Sequence, residues 1–205
     1  MVYFVRTPGW LQKLHPGRLW KVTGARNTLY LSFDDGPDPE VTGFVLDQLA
    51  KYNAKATFFC IGNNVEAYPA VYTRILNEGH GVGNHTQDHL NGWKTEDQLY
   101  RNNILAAKKN IRSSLYRPPY GRMRRSQQRM LLEEGFRTVM WTVLSGDFDP
   151  SISCDRCLHN VIDKTKAGDI VVFHDSQKAK EKIMYALPLV LKHFTEKGFN
   201  FDKLT

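Results

Sequence analysis

Two hydrophobic rhythms take turns along this chain. Short segments at 29–33, 56–60, 81–84, 115–117, 137–142 and 169–173, most of them apolar, have the length and the Gly, Pro, Asn or Asp borders of buried strands. Between them, 41–52, 69–78, 95–113, 126–134, 154–164 and 181–197 place apolar residues three and four apart, the spacing of helices with one buried face. Strands that alternate with helices predict an α/β fold with a parallel sheet. Thr95 followed by Gln98 reads as a capping box, and Gly135 as a helix stop. Pro188 falls inside 181–197, where it is placed to split the last helix.

No repeat, low-complexity tract or linker interrupts the pattern. With 205 residues, 41% hydrophobic and 12% aromatic, the chain has enough apolar surface for one substantial core. Residues 1–27 precede the first strand and mix Tyr3, Phe4, Trp10, Leu11, Leu14 and Trp20 with Arg6, Lys13, Arg18 and Lys21. Such a mixture suits a membrane surface, but Pro8, Gly9, Pro16 and Gly17 break any long helix. The expectation is a segment that packs on the body of a domain spanning 28–205.

The chemistry collects where strands end. Ser32-Phe33-Asp34-Asp35-Gly36-Pro37 places two carboxylates side by side at the close of an apolar strand and then turns. Active sites of α/β folds gather at that edge. Adjacent like charges push each other's pKa apart, so the pair implies a shared proton or a cation, unless it is only a solvated turn. His85-Thr86-Gln87-Asp88-His89 follows a second strand end. At i and i+4 its histidines share one face of a helical turn and can meet one ion. With one carboxylate they form a two-histidine, one-acid set that leaves positions open for water and substrate; two surface histidines on a helix is the plain alternative.

Arg117-Pro118-Pro119-Tyr120-Gly121 adds a permanent cation able to hold a carboxylate in one orientation. Its prolines carry no N–H, so the next free amide, on Tyr120, is placed to meet a ligand. The strand 169–173 runs into His174, suited to proton transfer near neutral pH, although alone it would read as a core histidine.

In order and spacing these clusters, from about Thr28 to Phe201, resemble the NodB homology domain of polysaccharide deacetylases, carbohydrate esterase family 4. That family's patterns [ST]-F-D-D-G-P, H-[ST]-x-x-H, R-x-P-[YF] and apolar-x-His each have a counterpart here. The resemblance implies a distorted or incomplete (β/α) barrel. It implies that Asp34 is the catalytic base, that Asp35, His85 and His89 hold the metal, and that Arg117 holds the base. Tyr120 would give its N–H to the oxyanion, His174 would be the general acid, and Val172 would line the pocket for the acetyl methyl.

The fourth motif departs from the family's D-x-x-D-[WY], reading Leu144-Ser145-Gly146-Asp147-Phe148. Asp147 aligns with the acid that tunes the histidine, and Phe148 keeps a hydrophobic wall. Leu144 removes one charge near the cleft, which bears on substrate preference more than on the reaction. The implied cofactor is one divalent ion, zinc foremost, with cobalt, nickel or manganese as alternatives. The implied reaction is hydrolysis of an N-acetyl group, or an O-acetyl group, on a sugar or polysaccharide such as an N-acetylglucosamine-containing glycan.

A formal charge of +7 favours an anionic partner or membrane proximity. Arg122, Arg124, Arg125 and Arg129 follow the Arg117 motif, where they meet an anionic glycan or form a solvated face. No nucleic-acid pattern accompanies the charge, and no stretch is long and apolar enough to cross a membrane. Residues 1–20 lack the apolar core of a secretory signal. A native first residue points to a cytoplasmic or membrane-peripheral protein; a removed signal points to an extracytoplasmic one. Three cysteines do not make a disulfide framework; Cys154 and Cys157, a lone C-x-x-C near His159, read as a helix start, with zinc or redox chemistry as the alternative, and Cys60 as a core residue. Two other classes fit the same residues: a metal-dependent glycan-binding protein without turnover, and a non-haem iron oxygenase. The first has no need of a base and an acid, and the second has no need of Asp34 beside a ligand.

Overall fold

The first strand, β1 (Thr28–Asp34), organises the molecule by sending alternate residues to opposite sides. Leu29, Leu31 and Phe33 enter a large core beneath the helices, while Ser32 and Asp34 face the concave side. In the computed structural model, which describes residues 3–205, seven further strands follow: β2 (Thr57–Cys60), β3 (Gly81–Asn84), β4 (Leu115–Tyr116), β5 (Arg137–Thr138), β6 (Val143–Leu144), β7 (Ile170–His174) and β8 (Asn200–Phe201). The sheet order is β5-β4-β3-β2-β1-β7-β6 with every neighbour parallel, and β8 adds alongside the start of β1.

The helices are α1 (Gly9–Lys13), α2 (Val41–Lys51), α3 (Gly62–Ala67), α4 (Pro69–Asn77), α5 (Asp97–Lys108), α6 (Arg125–Glu133), α7 (Cys154–Ile162) and α8 (Lys180–Glu196). The main core lies between the convex face of the sheet and α2, α4, α7 and α8. A smaller cluster of Phe59, Leu115, Val139, Ile170 and Leu204 fills the concave side.

The predicted strand over 137–142 is instead two short strands at opposite edges of the sheet. Residues 139–142 link them, and a link of that length reaches at most about 18 Å. The sheet therefore curls until its edges nearly meet, which makes it an incomplete barrel. Segment 3–22 runs along the gap, where Leu19 pairs with Val139, Arg6 with Val143 and Lys21 with Asp169. Arg6 also reaches the buried Asp169 carboxylate at 2.6 Å.

Two helix ends differ from expectation. α5 starts at Asp97 rather than Thr95, because the Glu96 carboxylate accepts from the Gln98 and Leu99 amides, both at 2.9 Å. A full negative charge at a helix N-terminus outcompetes a hydroxyl. Thr95 donates to the Asn91 carbonyl instead. α8 runs unbroken through Pro188. The proline costs about 3 kcal/mol, but Ile183, Leu187, Val190, Leu191 and Phe194 are all buried on the same helix, at about 1.5–3 kcal/mol each. Cys157 lies in the main core and Cys154 opens α7 behind its Ser153 cap, so the C-x-x-C pair is a helix start with free thiols. Among the described residues, no helix is long and apolar enough to cross a membrane.

Candidate active site

Because the strands are parallel, their C-terminal ends share one rim. Register places Asp34 beside His174 across β1 and β7, and Ser32 beside Val172. With side chains alternating, Ser32, Asp34, Val172 and His174 share the concave face.

Arg117 is fully buried just past β4. Its Nη1 donates to Asp34 Oδ1 at 2.6 Å and to Ser32 Oγ at 2.8 Å, and Nη2 donates to the Met140 carbonyl at 3.1 Å. The guanidinium lies 3.9 Å from the centre of the Phe59 ring. Burial pulls its pKa below the ordinary value and Asp34 opposes this, so it stays charged at any pH the protein meets. The contacts leave Asp34 with one fixed orientation. Ser32, which sequence reasoning passed over, is a part of that clamp; its signal was a polar residue on the same face of an apolar strand.

Asp35 leaves the strand in the left-handed region, with φ of 80°, and so parts its carboxylate from that of Asp34. The turn is held from three sides. Asn64 donates to the Asp35 carbonyl at 2.7 Å, Ile61 N–H donates to the Gly36 carbonyl, and Gly36 N–H donates to Asp175 Oδ1 at 3.0 Å. A Cβ at Gly36 would stand 2.0 Å from Asp175 Oδ2, so only glycine fits. Burial pushes the Asp175 carboxyl well above the usual carboxylate range, and Thr42 lies 2.6 Å from its other oxygen.

His85 and His89 do not lie on a helix. Residues 85–89 form a loop in which Thr86 and His89 have positive φ, 68° and 56°. Polar side chains shape it: Asn84 accepts from Thr86 N–H, Thr86 accepts from Leu90 N–H, and Asn103 accepts from both Gln87 and Asp88 N–H. The two rings still converge, 5.1 Å apart. The His85 Nδ1 lies 2.8 Å from the Arg117 carbonyl. A carbonyl can only accept, so Nδ1 carries the proton and Nε2 presents a lone pair.

That lone pair faces Asp35 Oδ1 at 3.5 Å, and His89 Nε2 stands 3.1 Å from the same oxygen. The oxygen is buried and receives no hydrogen bond among the described residues. One atom from each of Asp35, His85 and His89 lies within 4.8 Å of the others. Tetrahedral coordination with bonds near 2.1 Å sets ligand atoms about 3.4 Å apart. The His85 lone pair, the His89 Nε2 and the Asp35 oxygen at this spacing fit a divalent cation.

Tyr120 sits in a tight turn with φ of 60°, its ring edge-on to His89 at 4.7 Å. Its N–H has no acceptor among the described residues. On the opposite side of the rim, the fully buried Asp147 accepts from the His174 backbone N–H and from its Nδ1, both at 2.7 Å. Burial works to lower the His174 pKa, but Asp147 chiefly, with Asp35 and Asp34, pushes it up to about 9. Nε2 is thus left as a protonated donor at neutral pH. Phe148 packs edge-on to this ring at 5.1 Å. Val172 lies between Ser32 and Leu144 in the sheet and is buried.

Known proteins are similar to this chain in sequence and fold. The family model for polysaccharide deacetylase matches residues 21–139. A peptidoglycan-N-acetylglucosamine deacetylase of Bacillus cereus is 34% identical over 188 residues, covering 89% of this chain and 88% of its own. A chitooligosaccharide deacetylase of Azorhizobium caulinodans is 30% identical, covering 82% of this chain and 83% of its own. The crystal structure of a peptidoglycan N-acetylglucosamine deacetylase superposes with a TM-score of 0.88 at 31% identity, over 97% of this chain and 95% of the other. With its fold and more than half its length matched, the chain belongs to the polysaccharide deacetylase family.

Proposed function

We propose that this protein is a metal-dependent deacetylase that hydrolyses N-acetyl groups on an N-acetylglucosamine-containing glycan. The observation that carries the reading is the His85 tautomer: the Arg117 carbonyl turns the Nε2 lone pair toward the undonated Asp35 oxygen, and the same Arg117 clamps Asp34. One residue thus joins a cation site to a positioned base.

A divalent ion, zinc by preference for this nitrogen and oxygen set, would be held by Asp35, His85 and His89 and would polarise the acetyl carbonyl and acidify water. Asp34 takes the proton from the attacking water. Arg117 keeps the carboxylate aimed, and its full burial excludes competing orientations. The Tyr120 N–H donates to the oxyanion as the carbonyl carbon becomes tetrahedral. His174 gives the Nε2 proton to the departing amine, with Asp147 holding the resulting ring in place. Val172 and Phe148 supply apolar walls beside the acetyl group. Acetate and a free amino sugar result.

The reading is supported by the deacetylase relatives and tested by acetate release from N-acetylglucosamine oligosaccharides, with metal content measured before and after chelation. Release that stops with chelator and returns with zinc supports it. Glycan binding without release would make the protein a binding module instead.

A further inference from the structure

Three carboxyl groups meet where β1 and β7 end, and two of them have a partner of their own. Asp34 faces Arg117 at 2.6 Å, and Asp35 faces the His85 and His89 imidazoles. The third, Asp175, is 1% exposed, has no cationic partner among the described residues and lies outside the set of groups placed to share an ion. A polar group so deep is costly unless its oxygens are bonded. Both are, and both bonds run to the segment that joins β1 to α2.

Asp175 follows His174, and its backbone N–H donates to the Asp34 carbonyl at 3.0 Å. Its Oδ1 accepts from the Gly36 N–H, also at 3.0 Å. The Asp34 carbonyl belongs to the peptide before Asp35 and the Gly36 N–H to the peptide after it, so one residue holds both. Its Oδ2 lies 2.6 Å from the hydroxyl of Thr42, in the first turn of α2. That hydroxyl accepts from the Asp38 N–H at 2.8 Å, which leaves its own hydrogen for Asp175. Between the two held peptides, Asp35 keeps a φ of 80°, a conformation that a residue with a side chain adopts only where its surroundings impose it.

We infer that Asp175 is the positioning residue of this turn, an assignment that rests on the cation-site reading of Asp35, His85 and His89. By fixing the peptides on either side of Asp35 it sets that carboxylate against the two imidazoles, in register with the His174 ring beside it. Its contribution is a pair of acceptors in a fixed place. An amide can replace it, offering its oxygen to the Gly36 N–H and its nitrogen to the Thr42 hydroxyl.

Zinc affinity of the wild type, Asp175→Ala and Asp175→Asn, read by competition with a chromophoric chelator under conditions where circular dichroism shows all three folded, tests the assignment. Asp175→Ala binds zinc about ten- to a hundredfold more weakly, the scale for losing a group that orients a metal ligand, and Asp175→Asn returns the affinity to near the wild-type value. A purely structural role lowers the unfolding midpoint and leaves the zinc affinity of the folded protein as it was; that result overturns the assignment, as does an Asn variant that binds as weakly as the Ala one. Where Asp175→Ala does not fold, Asp175→Ser, whose hydroxyl is too short to reach the Gly36 N–H, takes its place with the same expected loss. Wild-type protein that takes up no zinc defeats the cation-site reading and this assignment with it, whereas wild-type binding unchanged in the variants defeats the role of Asp175 alone.

Discussion

Replacing Asp147 by Asn separates the acid end of the site from the rest. Asp147 grips His174 twice, through the backbone N–H and through Nδ1. An imidazole in water loses its proton near 6.5, whereas His174 holds it up to about 9. The difference is worth about 3 kcal/mol at about 1.4 kcal/mol per pH unit. Since the folded value is the higher one, this stabilisation is complete below about pH 6.5 and is lost as the pH rises through about 9. In the proposed mechanism the same proton goes to the departing amine. The alkaline fall of kcat/KM for acetate release therefore moves down in Asp147→Asn by about one to three pH units, the effect of one ionised neighbour. Burial, which works against the charged ring, is then opposed only by Asp34 and Asp35. A cation on Asp35 screens its share equally in both proteins, so the displacement belongs to Asp147. The profile from pH 5 to 10 is measured at saturating zinc, with the His174 ring titrated directly by NMR. An Asn amide nitrogen facing the His174 N–H adds a structural cost of about 1–3 kcal/mol, which unfolding measurements above about pH 9, where the ring has lost its charge in both proteins, read independently. Leu144→Asp leaves the alkaline limb in place. A limb unmoved by Asp147→Asn but displaced by Leu144→Asp would refute the reasoning.

Three other outcomes follow from the geometry. Asp34→Asn keeps the metal, measured by elemental analysis, and loses about two to four orders of magnitude in turnover, the contribution of a positioned base. His85→Ala combined with His89→Ala lowers zinc affinity by at least tenfold in a competition titration, since two of three protein ligands are gone. Gly36→Ala sets a methyl against the Asp175 carboxylate; it destabilises by about 1–3 kcal/mol or more by denaturant unfolding and weakens zinc binding, because the Asp35 turn moves with it.

The β1 strand and its exit were legible because a short apolar run and an Asp-Asp-Gly-Pro turn are local facts. The convergence of His85 and His89 was legible, but its cause was not. A helical i, i+4 pair and a loop with two left-handed residues bring the rings to one point alike, and only Asn84, Thr86 and Asn103 distinguish them. Asn103 acts from another helix, so spacing near the histidines carries no trace of it. The Thr95 capping box failed by one residue because Glu96 is a stronger acceptor for the same amides. Residues 137–142 have the composition of one strand, and their division between two sheet edges depends on how far the whole sheet curls. The clamp of Ser32 on Arg117 spans 85 positions along the chain and has no local signal.

Arg117 ties these levels together, since its Nη1 grips Asp34 while its Nε and Nη2 reach Val139 and Met140, the two residues that begin the crossing between the sheet edges. The proton acceptor and the closure of the barrel are thus fastened by one side chain. A partly opened form, with the crossing and segment 3–22 detached, would release the guanidinium from its carbonyls and set the Asp34 carboxylate adrift at the same moment. Chemical competence is in this sense tied to the closure of the barrel: loosening the seam frees the base as it uncovers the concave-side cluster around Val139.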